Sequence, residues 1–298
     1  MTDAQSFYIL ARVVDYVGTG LFLGGSVFVA LLWPAGAGDR RTRRLLGIGW
    51  FLGIAGTVAA LLWQSVWAAQ RPLDWSVVQQ LLSVQTGRVW AAKALLWMLA
   101  TVVLADLLRR RAEAARSMAW RVGAFVVGLG LLRTSGLTGH AQDAPQRTVA
   151  EVAALLHLTG ICAWFGGLAV LLLGVLPRRR PAELASVVPK YSRLALTSVV
   201  LVVLGGTALA WQLVGTPDVL FTTGYGRLLL VKLAIFAVIL GAAQLSKRWV
   251  TRRLDFAVVL RGDSATVRPF VYSVAVETVL VIAVLVAASL LVTANPRV

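Results

Sequence analysis

The sequence predicts an all-α fold: a polytopic membrane helical bundle of eight transmembrane helices, arranged as two four-helix repeats with both termini outside. Three observations carry this prediction. Apolar residues run on for longer than a bilayer is thick, basic residues collect in alternate connections, and the two halves of the chain resemble each other span by span.

Of the 298 residues, 58% belong to the hydrophobic set and 14% are charged. Mean hydropathy is +0.79, well above that of a soluble domain of this length. Four stretches carry no Asp, Glu, Lys or Arg: residues 16–38, 45–70, 152–177 and 194–217. Each exceeds the roughly 20 residues that cross the hydrocarbon. Four more apolar segments are interrupted by charge: 89–108 by Lys93 and Asp106, 120–137 by Arg121 and Arg133, 226–245 by Arg227 and Lys232, and 270–292 by Glu277. Residues 1–6 hold no basic cluster and the apolar run at 8–33 is too long for a signal-peptide core, so the first helix is expected to be retained.

The connections at 39–44, 109–121, 178–193 and 247–268 hold 20 of the 29 Lys and Arg. Basic residues in short loops stay on the cytoplasmic side, so these four connections are cytoplasmic and an even helix number leaves both ends outside. The formal net charge of +16 is thereby accounted for by orientation and anionic headgroups, and no nucleic-acid partner is implied. The expected location is the bacterial inner (plasma) membrane, the lipid bilayer being the main partner. One integral membrane domain spans 1–298, with halves at 1–140 and 141–298.

The repeat is read from short matches. Gly24-Gly25 and an apolar run to Pro34 correspond to Gly166-Gly167 and a run to Pro177, a register that sets Asp15 opposite His157. Gly56-Thr57 before Trp63-Gln64 corresponds to Gly206-Thr207 before Trp211-Gln212, and Gly87-Arg88 to Lys93 corresponds to Gly226-Arg227 to Lys232. Four spans per half give the repeats the same orientation, related by an axis along the membrane normal. Between the second and third spans, Asp74 is placed to cap a short helix carrying Trp75, Val78, Leu81 and Leu82, suited to lying at the interface.

Charged side chains within a span cost roughly 2.5–3.5 kcal/mol each on insertion scales, so each is a candidate site unless it reaches the headgroups. Arg88, Arg121, Arg227 and Asp106 sit at helix ends and read as anchors. Lys93 and Lys232 lie roughly 8–9 Å in, within snorkelling reach, so that a structural role and a place on a path are both open. Arg133 is similar, about one turn inside. Glu277 lies roughly 10 Å in and is too short to reach out, so it should face the bundle interior.

His140 and His157 are the only histidines, and topology puts both at the outer side. Imidazole ligates copper, zinc and haem iron, and Asp15, Asp143 and Glu151 are the nearest candidate oxygen ligands. No fixed-spacing motif joins them, which leaves a packed histidine and a ligand both open. Cys162 lies inside the fifth span, with no disulfide framework and no catalytic thiol expected. Glycine-rich nucleotide loops are missing, so any transport would be passive, potential-driven, ion-coupled or fed by a partner, and no enzymatic activity is expected.

The outer-loop Ser135-Gly136-(x-x)-Gly139-His140-Ala141, then His157-Leu158 with Trp164-Phe165-Gly166-Gly167-Leu168, resembles the copper resistance protein D family (CopD, PcoD and the membrane part of YcnJ). Tyr191-Ser192-Arg193, Gly205-Gly206 to Trp211-Gln212, Tyr225-Gly226-Arg227 to Lys232, Glu277 and the late Thr293-Ala294-Asn295-Pro296 are similar to the same family. The resemblance covers about 130–296 well and the first half loosely. It implies an inner-membrane protein that moves or delivers copper in copper homeostasis or resistance, often beside a CopC-like periplasmic carrier. Carried over, His140 and His157 are the candidate copper ligands at the outer entrance and Glu277 is a polar residue further along a path; the reading of the residues themselves adds Asp15 as a candidate third ligand, and Lys93, Lys232 and Arg133 as path or structural polar residues. Two alternatives accompany it: a haem-binding membrane oxidoreductase, since the helical framework also resembles HemJ-like proteins, and a copper-dependent assembly factor that transports nothing.

Overall fold

The computed structural model describes residues 3–139, 144–178, 180–214 and 218–253. His140, Asp143 and Glu277, and with Glu277 the eighth predicted span, lie outside the described residues. The order is α1 (Asp3–Val27), α2 (Arg40–Ala69), α3 (Trp75–Ser83), α4 (Gln85–Arg110), α5 (Ala112–Arg116), α6 (Met118–Leu137), α7 (Arg147–Val170), α8 (Pro181–Val214), α9 (Val219–Thr222) and α10 (Gly224–Arg253). No strand occurs among the described residues.

Among the described residues, five helical segments are long and apolar enough to cross a bilayer: Asp3–Leu32, Arg40–Ala69, Gln85–Arg110, Arg147–Arg178 and Ala182–Val214. α6 and α10 occupy the predicted spans at 120–137 and 226–245. The centre is the α1–α7 pair, for the most apolar stretch of each is 72% buried inside the protein, against 17% for α8. α2 packs on α1, α8 on α7, and α4 and α6 close the side next to α2. Large apolar side chains point outward from the outer helices: Leu95, Val102, Phe125, Leu196, Leu204 and Trp211 are all exposed. Water does not tolerate such a surface, whereas lipid tails solvate it.

Glycine sets how closely the helices approach. A Cβ on Gly18 would stand 2.1 Å from Gly53 N, and one on Gly24 would stand 1.8 Å from the Cys162 carbonyl oxygen. Backbones touch at these crossings, the small-residue packing that joins helices where no hydrophobic effect operates between them.

Both central helices end alike. α1 passes into a π turn at Phe28–Leu32 and a 3-10 turn at Pro34–Gly38, and α7 into a π turn at Leu171–Val175 and a 3-10 turn at Leu176–Arg178. At this end, where the basic connections lie, Asp39 caps α2 by accepting from Arg41 N and Thr42 N at 3.0 Å. Its other oxygen takes Arg178 Nη1 at 3.2 Å. Arg178 also lies over Trp33, 5.4 Å from the ring centre. It meets Glu183 through Nη2 at 3.1 Å, with Nε 3.0 Å from the second oxygen but off the hydrogen-bond line. One guanidinium therefore ties the end of α7 to the starts of α2 and α8.

At the opposite end the expected short helix forms as α3. Asp74 caps it by accepting from Val77 N at 2.9 Å, and Val77, Val78 and Leu81 are buried while Trp75 is exposed. Hydrogen bonds from Ser76 and Val77 hold the Asp74 carboxyl below the usual carboxylate range. A depressed value means that the cap is present above that range and lost as pH falls through the lowered one. Loss of α3 protection in hydrogen exchange on acidification, abolished by Asp74→Asn, checks this.

Candidate functional site

Three ionisable side chains are fully buried beside one another: Arg12 and Asp15 of α1 and Lys93 of α4. Gly56 is the reason α2 reaches them, since a Cβ there would stand 2.4 Å from Asp15 N. That contact sets Thr57 against the carboxylate, and Thr57 Oγ1 donates to Asp15 Oδ1 at 2.9 Å while accepting from Trp97 Nε1 at 3.1 Å. Lys93 Nζ donates to Asp15 Oδ2 at 2.5 Å. Both carboxylate oxygens are thus engaged by neighbouring helices.

Arg12 has no carboxylate partner among the described residues. Its Nη1 donates to Tyr8 Oη at 3.1 Å and to the Thr138 carbonyl at 3.0 Å, and its Nη2 donates to Tyr16 Oη. The guanidinium carbon lies 5.0–5.8 Å from the ring centres of Tyr16, Trp90 and Tyr8, at cation–π distance. With Arg12 and Lys93 charged against Asp15, the cluster carries one excess positive charge.

His157 lies on another side of the central pair. Its Nδ1 is 2.8 Å from the Val202 carbonyl of α8; a carbonyl only accepts, so Nδ1 carries the proton and Nε2 keeps a free lone pair. Gly206 makes room for the ring, for a Cβ there would stand 3.1 Å from His157 Cε1 and Nδ1, and Gly205 lets the backbones of α8 and α7 meet, a Cβ there standing 2.7 Å from His157 N. α10, which carries Lys232, packs on the same side of α7, with the Phe236 and Trp164 ring centres 6.2 Å apart.

Among the predicted site residues, the structure brings Asp15 and Lys93 together but not Asp15 and His157. Asp15 faces α2 and α4, and His157 faces α8 and α10. Arg133 lies at the end opposite the basic loops, 3.8 Å from Glu151, which also takes Arg147 at 3.1 Å. No group of three or more His, Cys, Asp or Glu able to hold a metal occurs among the described residues. Sequence reasoning passed over Arg12. The signal was there, since Tyr8 and Tyr16 stand four residues to either side and share its helix face.

Apolar outward faces, backbone-tight helix crossings and a buried charge cluster define a multi-pass helical membrane protein. It belongs to the copper resistance protein D family: residues 1–146 match the description "Copper resistance protein D-like, N-terminal domain" and residues 185–291 match "Copper resistance protein D". The first of these extends the family over the half where the quoted motifs are loosest. A relative is "Copper transport protein CutJ" of Bacillus subtilis (strain 168), 29% identical over 277 residues, covering 85% of this chain and 49% of that protein. The chain thus spans about half the length of the curated relative it matches. No solved structure matches.

Proposed function

We propose that the protein moves copper across, or hands it into, the bacterial inner membrane in copper homeostasis, with copper as cargo and not as a resident cofactor. The family and the copper transport relative support the cargo. The observation that carries the site is His157, whose Nδ1 bond to Val202 leaves Nε2 open. In this reading eight helices form two like-oriented halves, the histidine end faces outward, and His140 joins His157 at the mouth. A CopC-like periplasmic carrier is the donor we assign. An inside-negative potential then assists inward movement by about 2.3 kcal/mol per charge per 100 mV. Asp15, already engaged by Lys93 and Thr57, serves as internal counter-charge to the cluster and not as a third ligand.

The test is copper analysis and titration of purified protein alongside cellular copper content, for wild type, His140→Ala and His157→Ala. A loss of affinity of about tenfold or more is expected on removing an imidazole ligand. Unchanged stoichiometry in both variants, or a Soret band in the purified wild type, would overturn the reading.

A further inference from the structure

We infer that Arg12, with Tyr8 and Tyr16, holds a small monovalent anion, of which chloride is the simplest, buried beside the Asp15–Lys93 pair. The site does not rest on the copper reading. Two surpluses point to it, one of charge and one of hydrogen-bond donors.

Arg12 and Lys93 are both 0% exposed, and among the described residues Asp15 is the one carboxylate that pairs with either. A guanidinium does not give up its proton in a protein, and an unpaired charge inside a membrane protein is expensive. Both oxygens of Asp15 are engaged, by Thr57 and Lys93. The surplus positive charge therefore stands at Arg12.

Hydrogens are left over in the same place. Arg12 Nε is buried and has no hydrogen-bond partner. Tyr8 and Tyr16 accept from Arg12 through their phenol oxygens, so each keeps its own O–H proton, and neither gives it to an acceptor among the described residues. The acceptors nearby are already used: the Thr138 carbonyl takes Arg12 Nη1, and Gln64 Oε1 takes Trp90 Nε1 at 2.5 Å. Buried donors without acceptors are rare and costly. A water would accept the hydrogens and leave the charge standing. An anion only accepts and carries the opposite sign, so it answers both surpluses. Three aromatic rings stand 5.0–5.8 Å from the guanidinium carbon, which calls for a small ion, and the surplus of one charge calls for a monovalent one.

The way in lies between the start of α1 and the end of α2, at the end away from the basic connections. Ala4, Val66, Gln70, Arg71 and Pro72 line an open depression of about 200 Å³ there. Ala4 is one helical turn before Tyr8, and Trp67, beside Val66, stacks on Tyr8 with ring centres 5.6 Å apart.

The experiment uses the full chain in a neutral maltoside detergent, free of copper, and compares sodium chloride with sodium gluconate at equal ionic strength. Surface arginines respond to ionic strength, whereas a bound ion responds to its identity. Wild type should take up about one radiolabelled chloride per chain, and its thermal midpoint, read by size-exclusion chromatography after heating, should rise with chloride along a saturating curve. Tyr8→Phe with Tyr16→Phe keeps both rings and removes both O–H donors, and should weaken chloride binding about tenfold or more. Arg12→Met removes the surplus charge, and should take up no chloride and unfold at the same temperature in both salts. Equal midpoints with no uptake in wild type would overturn the inference. Uptake that both variants retain in full would do the same, as the mark of an adventitious ion only. A chloride effect absent from wild type that appears in Asp143→Asn would also overturn it, as the mark of a counter-charge supplied by the chain. Copper enters none of these arms, so their failure leaves the functional proposal standing.

Discussion

Lys93→Ala is expected to destabilise the protein by about 3–5 kcal/mol, because it leaves the Asp15 carboxylate buried with Thr57 as its remaining partner. Lys93 and Asp15 are 0% and 1% exposed in their side chains, so neither can turn to water when the other is removed. The pair itself contributes far less than its rupture costs, since taking two ions out of water offsets most of their attraction. Asp15→Asn combined with Lys93→Met should therefore recover most of the loss, whereas each single substitution should not. Thermal unfolding of detergent-solubilised protein, read by size-exclusion chromatography after heating, measures all four forms. Equal stability of Lys93→Ala and wild type would show that the carboxylate finds another counter-charge.

Gly24→Val is expected to stop the protein from accumulating in folded form. A Cβ at Gly24 would sit 1.8 Å from the Cys162 carbonyl oxygen and 2.8 Å from Gly166 Cα. These are backbone atoms of the central helix pair and have no rotamer into which to retreat. Overpacking in ordinary cores costs about 1–3 kcal/mol, and a backbone clash between the two most buried helices should exceed that. Gly47→Ala is the control, having nothing within 4 Å of its Cβ; it should be neutral or stabilising by up to about 1 kcal/mol through helix propensity. Membrane yield of fluorescent fusions compares the two. Wild-type yield of Gly24→Val would mean that α1 and α7 do not cross where the structure puts them.

The membrane class and the positions of the long helices were legible because apolar length and alternating basic loops report on solvent, which acts on every residue of a span. The start of α1 was less so. An uncharged run begins at Tyr16, yet the helix begins at Asp3, since Arg12 and Asp15 find partners on α2, α4 and α6 that no local pattern specifies. The depth of Lys93 alone did not distinguish a snorkelling side chain from a buried one. Its phase does, for the buried residues of α4 are Gly87, Trp90, Lys93, Trp97, Ala100, Leu104 and Leu107, each three or four from the next. Lys93 lies within an apolar stripe and must face inward with it.

Arg178 binds the end of α7 to the starts of α2 and α8. Three rods pinned together at one tip cannot slide past one another there, so the ends of α2, α7 and α8 beside the basic connections keep a fixed spacing.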